Sequence, residues 1–139
     1  MKRLALFVLG LALLLAPVSA QALMVGDWGG WATVGTQFNE NISGYLGYSY
    51  FNPTNWLLVK ADYNLAKLGD VQTKVGANFE LTSPDSGSSL GLSWGISAMM
   101  VKNLMIGTDL ILVRFNRNAG GGGTTDIIPA AVMVAQLLL

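Results

Sequence analysis

The side chains able to do chemistry in this 139-residue chain are few and scattered. Asp62 and Glu80 are the carboxylates whose pairing could imitate the acid and nucleophile or base of a glycosidase, which needs two carboxyl groups flanking one bond. Each has a lysine within reach in the strand pattern developed below, Lys74 beside Asp62 and Lys60 beside Glu80, so ion pairing is the preferred reading. Ser86, Ser88 and Ser89 lie in or beside Pro84-Asp85-Ser86-Gly87, residue types that form a turn. Gly120 to Gly123 lack the Lys-Ser or Lys-Thr and the helix start that a phosphate loop requires, and read as a surface loop. Asp126, beside Thr124 and Thr125, offers oxygen atoms to a cation but no full ligand set. The chain has no His and no Cys, which removes the commonest general base, imidazole and thiolate metal ligands, and disulfides. No catalytic residue, cofactor or metal ligand is assigned, and an enzyme is not expected.

Composition narrows the class. Hydrophobic residues make up 52% of the chain and charged residues 12%, about half the charged share of an ordinary soluble domain. Lys2 and Arg3, the apolar run from Leu4 to Leu15 and the small residues of Val18-Ser19-Ala20 have the three-part order of a cleaved export signal. Gly10 and Pro17 break the apolar run well short of the ~20 residues a membrane-spanning helix needs. Residues 1–20 are therefore assigned as a signal peptide and residues 21–139 as one folded domain. Beyond Ala20, six basic residues face eight acidic ones with no basic cluster, so nucleic acid is not an expected partner.

The elements that must position these side chains are strands. Seven stretches alternate apolar with polar or small residues: 27–38, 42–51, 56–67, 71–83, 88–100, 104–116 and 126–139. Pairing neighbours through their turns tests the pattern, because a slip of one residue would turn every apolar side chain to the other face. A turn at Asn39-Glu40-Asn41 sets Val34 against Leu46 and Thr33 against Gly47. A loop at Asn52-Pro53-Thr54-Asn55 sets Tyr48 against Val59 and Tyr45 against Asp62. The turn Leu68-Gly69-Asp70 sets Val59 against Phe79 and Asn64 against Lys74, and the loop Pro84-Asp85-Ser86-Gly87 sets Val75 against Ile96. Val101-Lys102-Asn103 sets Trp94 against Leu110 and Gly95 against Asp109, and the glycine loop allows Leu110 against Met133.

These pairings give one continuous apolar face and one polar face. Lys60, Asp62, Lys74, Glu80 and Asp109 lie on the polar face among Gly29, Gly35, Gly47, Gly76, Gly91, Gly95 and Gly107. Small residues and few charges suit a narrow lumen better than an open watery surface. Arg114 is the one cation on the apolar face, near a strand end where it can snorkel. Trp28, Tyr48, Tyr50 and Trp56 gather toward one edge of that face, as a membrane-interface belt requires. Strands of about 10 residues match a tilted membrane crossing. The expected fold is all-β: an antiparallel up-and-down transmembrane β-barrel of about seven or eight strands.

In its signal peptide, alternating strands, short turns at one end and longer loops at the other, residues 27–139 resemble the small outer-membrane β-barrel proteins of double-membraned bacteria. The resemblance implies location in the bacterial outer membrane, contact with its lipid, and delivery by the barrel insertion machinery. That machinery reads a final strand with alternate hydrophobics, here Met133, Ala135, Leu137 and Leu139; Leu139 stands where the family usually has an aromatic residue. Seven strands depart from the even count of single-chain bacterial barrels. Residues 21–26 forming a short extra strand, parallel closure, a barrel shared among copies and a truncated relative are the alternatives. The expected function is a porin-like or structural barrel with a polar lumen. The alternative is an exported soluble β-barrel or sandwich binding an apolar ligand or a protein partner.

Overall fold

The computed structural model describes residues 23–49, 55–82, 87–118, 120–127 and 130–139, with the side chains of Asn55, Trp56 and Thr82 outside that description. The assigned signal peptide, Tyr50, Ser86 and the Trp56 side chain therefore lie outside the described residues. Among the described residues nine strands form one sheet: β1 (Leu23–Trp28), β2 (Trp31–Gln37), β3 (Ile42–Ser49), β4 (Asn55–Leu68), β5 (Val71–Thr82), β6 (Gly87–Val101), β7 (Leu104–Arg117), β8 (Gly123–Asp126) and β9 (Ala130–Leu138). Each of the first seven pairs antiparallel with the next, and β9 pairs with both β7 and β1. Those two pairings close an eight-stranded up-and-down barrel. The ninth strand, β8, continues along the edge of β7 beyond β9, from Arg114 opposite Asp126 to Arg117 opposite Gly123.

The even count comes from a turn hidden inside the first expected strand. Gly29 and Gly30 have φ of 57° and 93°, the left-handed conformations that a two-residue hairpin of type I′ demands at both central positions. Trp28 thereby faces Trp31, and Asp27 Oδ1 accepts a 3.2 Å hydrogen bond from the Gly30 amide. The stretch expected as 27–38 is two strands, β1 drawing in Leu23 to Gly26 on its N-terminal side. Leu23 and Leu138 then lie at one end of the barrel, with the connections at 38–41, 69–70 and 102–103. The opposite end carries the Gly29-Gly30 turn and the three longer connections.

Register follows connection length. Across all three of the expected short turns the pairings are as the sequence indicates: Val34 with Leu46, Val59 with Phe79, and Gly95 with Asp109. Across the three longer loops every strand has moved by two residues, giving Tyr45 opposite Lys60, Val75 opposite Trp94 and Leu110 opposite Ala131. A shift of two keeps each side chain on its face, so the separation into two faces survives. Extra residues that do not preserve it interrupt the ladders between Asn55 and Leu57, between Asn64 and Ala66 and between Met99 and Val101, all near strand ends, and at one place well inside the barrel wall. Between Leu92 and Ser93 the partner on β7 jumps from Val113 to Ile111, leaving Leu112 as an extra residue.

Alternation is most regular on β6. Leu90, Leu92, Trp94 and Ile96 are exposed on the outer surface, while Gly91, Ser93, Gly95 and Ser97 are buried inside. Val59, Tyr63, Val75, Phe79 and Ile106 continue the exposed apolar surface on neighbouring strands. Inside, Lys60, Asp62, Lys74, Asn78 and Asp109 are each less than 5% exposed. The barrel is apolar outside and charged within, the inverse of a protein folded around a hydrophobic core in water.

Candidate functional site

The interior is organised around a ring of four charges. Lys60 and Asp62 project inward from β4, Lys74 from β5 and Asp109 from β7. Asp62 accepts Lys60 on Oδ1 and Lys74 on Oδ2, the latter at 2.9 Å. Asp109 lies 3.2 Å from Lys60 Nζ and 3.3 Å from Lys74 Nζ. Each lysine thus touches both carboxylates, and each carboxylate both lysines. Trp28 Nε1 adds a 2.8 Å hydrogen bond to Asp109 Oδ2, and Lys60 Nζ lies 5.2 Å from the centre of the Tyr45 ring. The two positive and two negative charges balance, the condition under which so many ions can be held away from water.

Glycine makes room for them. Gly76 is the cross-strand partner of Asp62, and Gly95 that of Asp109. A methyl group at either position would run into the Oδ1 atom of its partner. Small residues in the lumen are therefore the space into which the carboxylates extend.

The ring divides the interior into unlike halves. Toward the end carrying the longer loops, Trp28, Trp31, Leu58, Ile111 and Val134 form a buried apolar cluster, with Val132 packed against it. Toward the end carrying the short turns lies a cavity of about 150 Å³ with Asp62 and Lys74 in its wall. Polar side chains from β2 to β5, among them Gln37, Ser43 and Asn64, line one flank; Met99, Met105, Leu138 and Met24 line the other.

The five polar residues expected to face the lumen all lie on the interior, but the ring gathers only four of them. The expected Asp62–Lys74 neighbourhood forms, whereas the Lys60–Glu80 one does not, because Lys60 turns to Asp62 and Asp109. Glu80 instead accepts a 2.8 Å hydrogen bond from Asn78 Nδ2 and lies 3.7 Å from an Arg114 nitrogen. Arg114 is thus a correction: the extra residue at Leu112 turns it from the apolar face to the interior. Trp28 is a second correction. Expected in an outward belt, it is 3% exposed and bonded to Asp109, because the Gly29-Gly30 turn reverses the chain and puts Trp28 on the same inward face as Trp31. Tyr48 does project outward, at 49% exposure near the end of β3.

Several candidates for chemistry have other attachments. Both carboxylate oxygens of Asp62 are taken by lysines. Asp126 accepts a 2.7 Å hydrogen bond from Asn116, which also reaches Thr124. Gly121 and Gly122 close a turn onto Asn118. Tyr45 lies inside, on the face that its pairing opposite Asp62 indicates, whereas strand parity misses Trp28; the Trp-Gly-Gly-Trp sequence, a hairpin signal in its own right, could have found it. Comparison with protein-family models, with curated proteins and with solved structures finds no match to this chain.

Proposed function

We propose that this chain is an outer-membrane β-barrel of a double-membraned bacterium, held in the lipid by its outer surface and closed inside. The observation that carries the reading is the inverted distribution of side chains: a continuous apolar surface outside and neutralised charges within. A soluble barrel would leave that surface in water, where apolar patches larger than a few hundred Å² are rare. Strands β4 to β7, at 12 to 15 residues, are long enough to cross a bilayer at a tilt. The short turns and Leu138 share one end, and on the resemblance to outer-membrane barrels that end is the periplasmic one in this reading, with β9 as the strand offered to the insertion machinery. Eight strands enclose a space that side chains fill, and the apolar cluster above the charge ring fills it here. Of the two expected roles, the geometry favours a structural barrel over a porin, and one chain completes the wall without sharing strands.

The test is a denaturing gel of outer-membrane fractions, unboiled against boiled, with conductance measured on the same protein. A fast band that slows on boiling, and no steady conductance in planar bilayers, are the expected results. Recovery of the chain as a soluble periplasmic protein would overturn the reading in favour of an apolar-ligand binder.

A further inference from the structure

The half-polar cavity below the charge ring has an unusual second wall. Met99 and Met105 are direct partners across β6 and β7, and Met24 stands two strands further round the barrel, on β1. All three line the same cavity of about 150 Å³. Met24 is buried, and its Sδ receives the Tyr45 hydroxyl at 3.9 Å, which fixes that thioether beside the cavity. The remaining described methionines, Met100 and Met133, are exposed.

We propose that Met24, Met99 and Met105 form a thioether site for a soft monovalent cation, copper(I) or silver(I). In a chain without Cys or His, thioethers are the only soft ligands available, and soft ligands select copper(I) over hard cations. The charges around the cavity argue against a hard divalent ion. Asp62 and Asp70 are matched by Lys67 and Lys74, and the Asp62 oxygens are already occupied by lysines. A hard cation would find no free carboxylate pair. A soft monovalent one needs none, because neutral sulfur holds it. The opening lies at the end bearing the short turns, so the ion enters from that side.

The experiment uses the full chain folded in detergent, labelled with ¹³C at the methionine methyl groups and titrated with silver(I), which avoids copper redox chemistry. The methyl resonances of Met24, Met99 and Met105 shift together and saturate at one ion per chain, while those of Met100 and Met133 stay in place. The variant M24L/M99L/M105L, which keeps side-chain volume, loses silver retention after desalting. Equal shifts at Met100 and Met133, no shift at all, or equal retention by the triple variant would overturn the proposal. Should the triple variant lose the fast-migrating folded band, M105L alone decides, by whether the Met24 and Met99 shifts persist unchanged on titration. Because the readout is taken in detergent, it is independent of which membrane the barrel occupies.

Discussion

Trp28 and Asp109 meet inside the barrel, the indole Nε1 donating to Oδ2 at 2.8 Å, so that the first strand is tied to the seventh through the lumen as well as round the wall. The bond supplies the donor that a buried carboxylate shared by two lysines still has capacity to accept. It also fixes the indole above the charge ring, as part of the apolar cluster on that side.

Replacing Trp28 by Phe keeps most of the buried surface and removes the donor. A hydrogen bond to a charged group contributes about 1.5–3 kcal/mol. W28F is expected to lower unfolding stability in urea by about that amount, measured on the barrel folded in lipid vesicles. W94F, at an outward position, is expected to change it little; equal effects would mean that the Trp28–Asp109 bond contributes nothing.

The charge ring predicts strong coupling between its members. D109N leaves two buried lysines facing one carboxylate and is expected to destabilise by about 3–5 kcal/mol. K74M in the same chain restores the balance, leaving Lys60 with Asp62, so the double variant is expected to be more stable than D109N alone. A double-mutant cycle in urea reads the coupling, and additive losses would show that the four charges act independently.

Gly76 and Gly95 are predicted to be intolerant of a single methyl group. G95A would press on Asp109 and Lys74, and G76A on Asp62 and Ser93. Each is expected to destabilise by about 1–3 kcal/mol, as overpacking does. Gly122 has only open space and a distant Asn118 nitrogen around its would-be Cβ, so G122A serves as the control and is expected to be near neutral. The comparison is read from urea midpoints.

What could be read from the sequence was parity, and parity failed where the backbone hides an irregularity. Across the three expected short turns Thr33 with Gly47 and Asn64 with Lys74 are the pairings that spacing indicates. Leu68 nevertheless pairs with Val71 and Val101 with Leu104, so two of the turns are one residue shorter than expected, and the extra residues Leu65 and Met100 restore the register. Longer loops leave the slide open, and the tilt of strands in a closed barrel decides it, which is why those registers differ by two. Trp28 was misplaced because glycine has no side chain to betray its face: a turn at Gly29-Gly30 reads as a strand running straight on. Arg114 was misplaced by the extra residue at Leu112, whose apolar neighbours Ile111 and Val113 give no sign of a bulge. The polar residues between these irregularities, Lys60, Asp62, Lys74 and Asp109, were on the right face. Their assembly into one ring depends on β4 and β7 facing each other across a closed barrel, a distance no local pattern records.

An outward charge tests the outer surface as a lipid face. Ile96, in the middle of β6, is exposed among apolar neighbours. I96R is expected to cost about 2–4 kcal/mol of folding free energy in vesicles if the position lies near the bilayer midplane. On a protein facing water the same change would be near neutral. Urea titration in phosphatidylcholine vesicles separates the two.

The most direct measurement places single tryptophans against the acyl chains. Two variants of the folded chain, one keeping only Trp94 and the other only Trp28, would be inserted into vesicles whose lipids carry bromine along the acyl chain. Trp94 fluorescence is expected to be strongly quenched and Trp28 fluorescence nearly untouched, because one indole faces outward and the other is sealed in the lumen against Asp109. Quenching of neither, in a chain that has kept its β structure, would contradict an outer surface embedded in lipid.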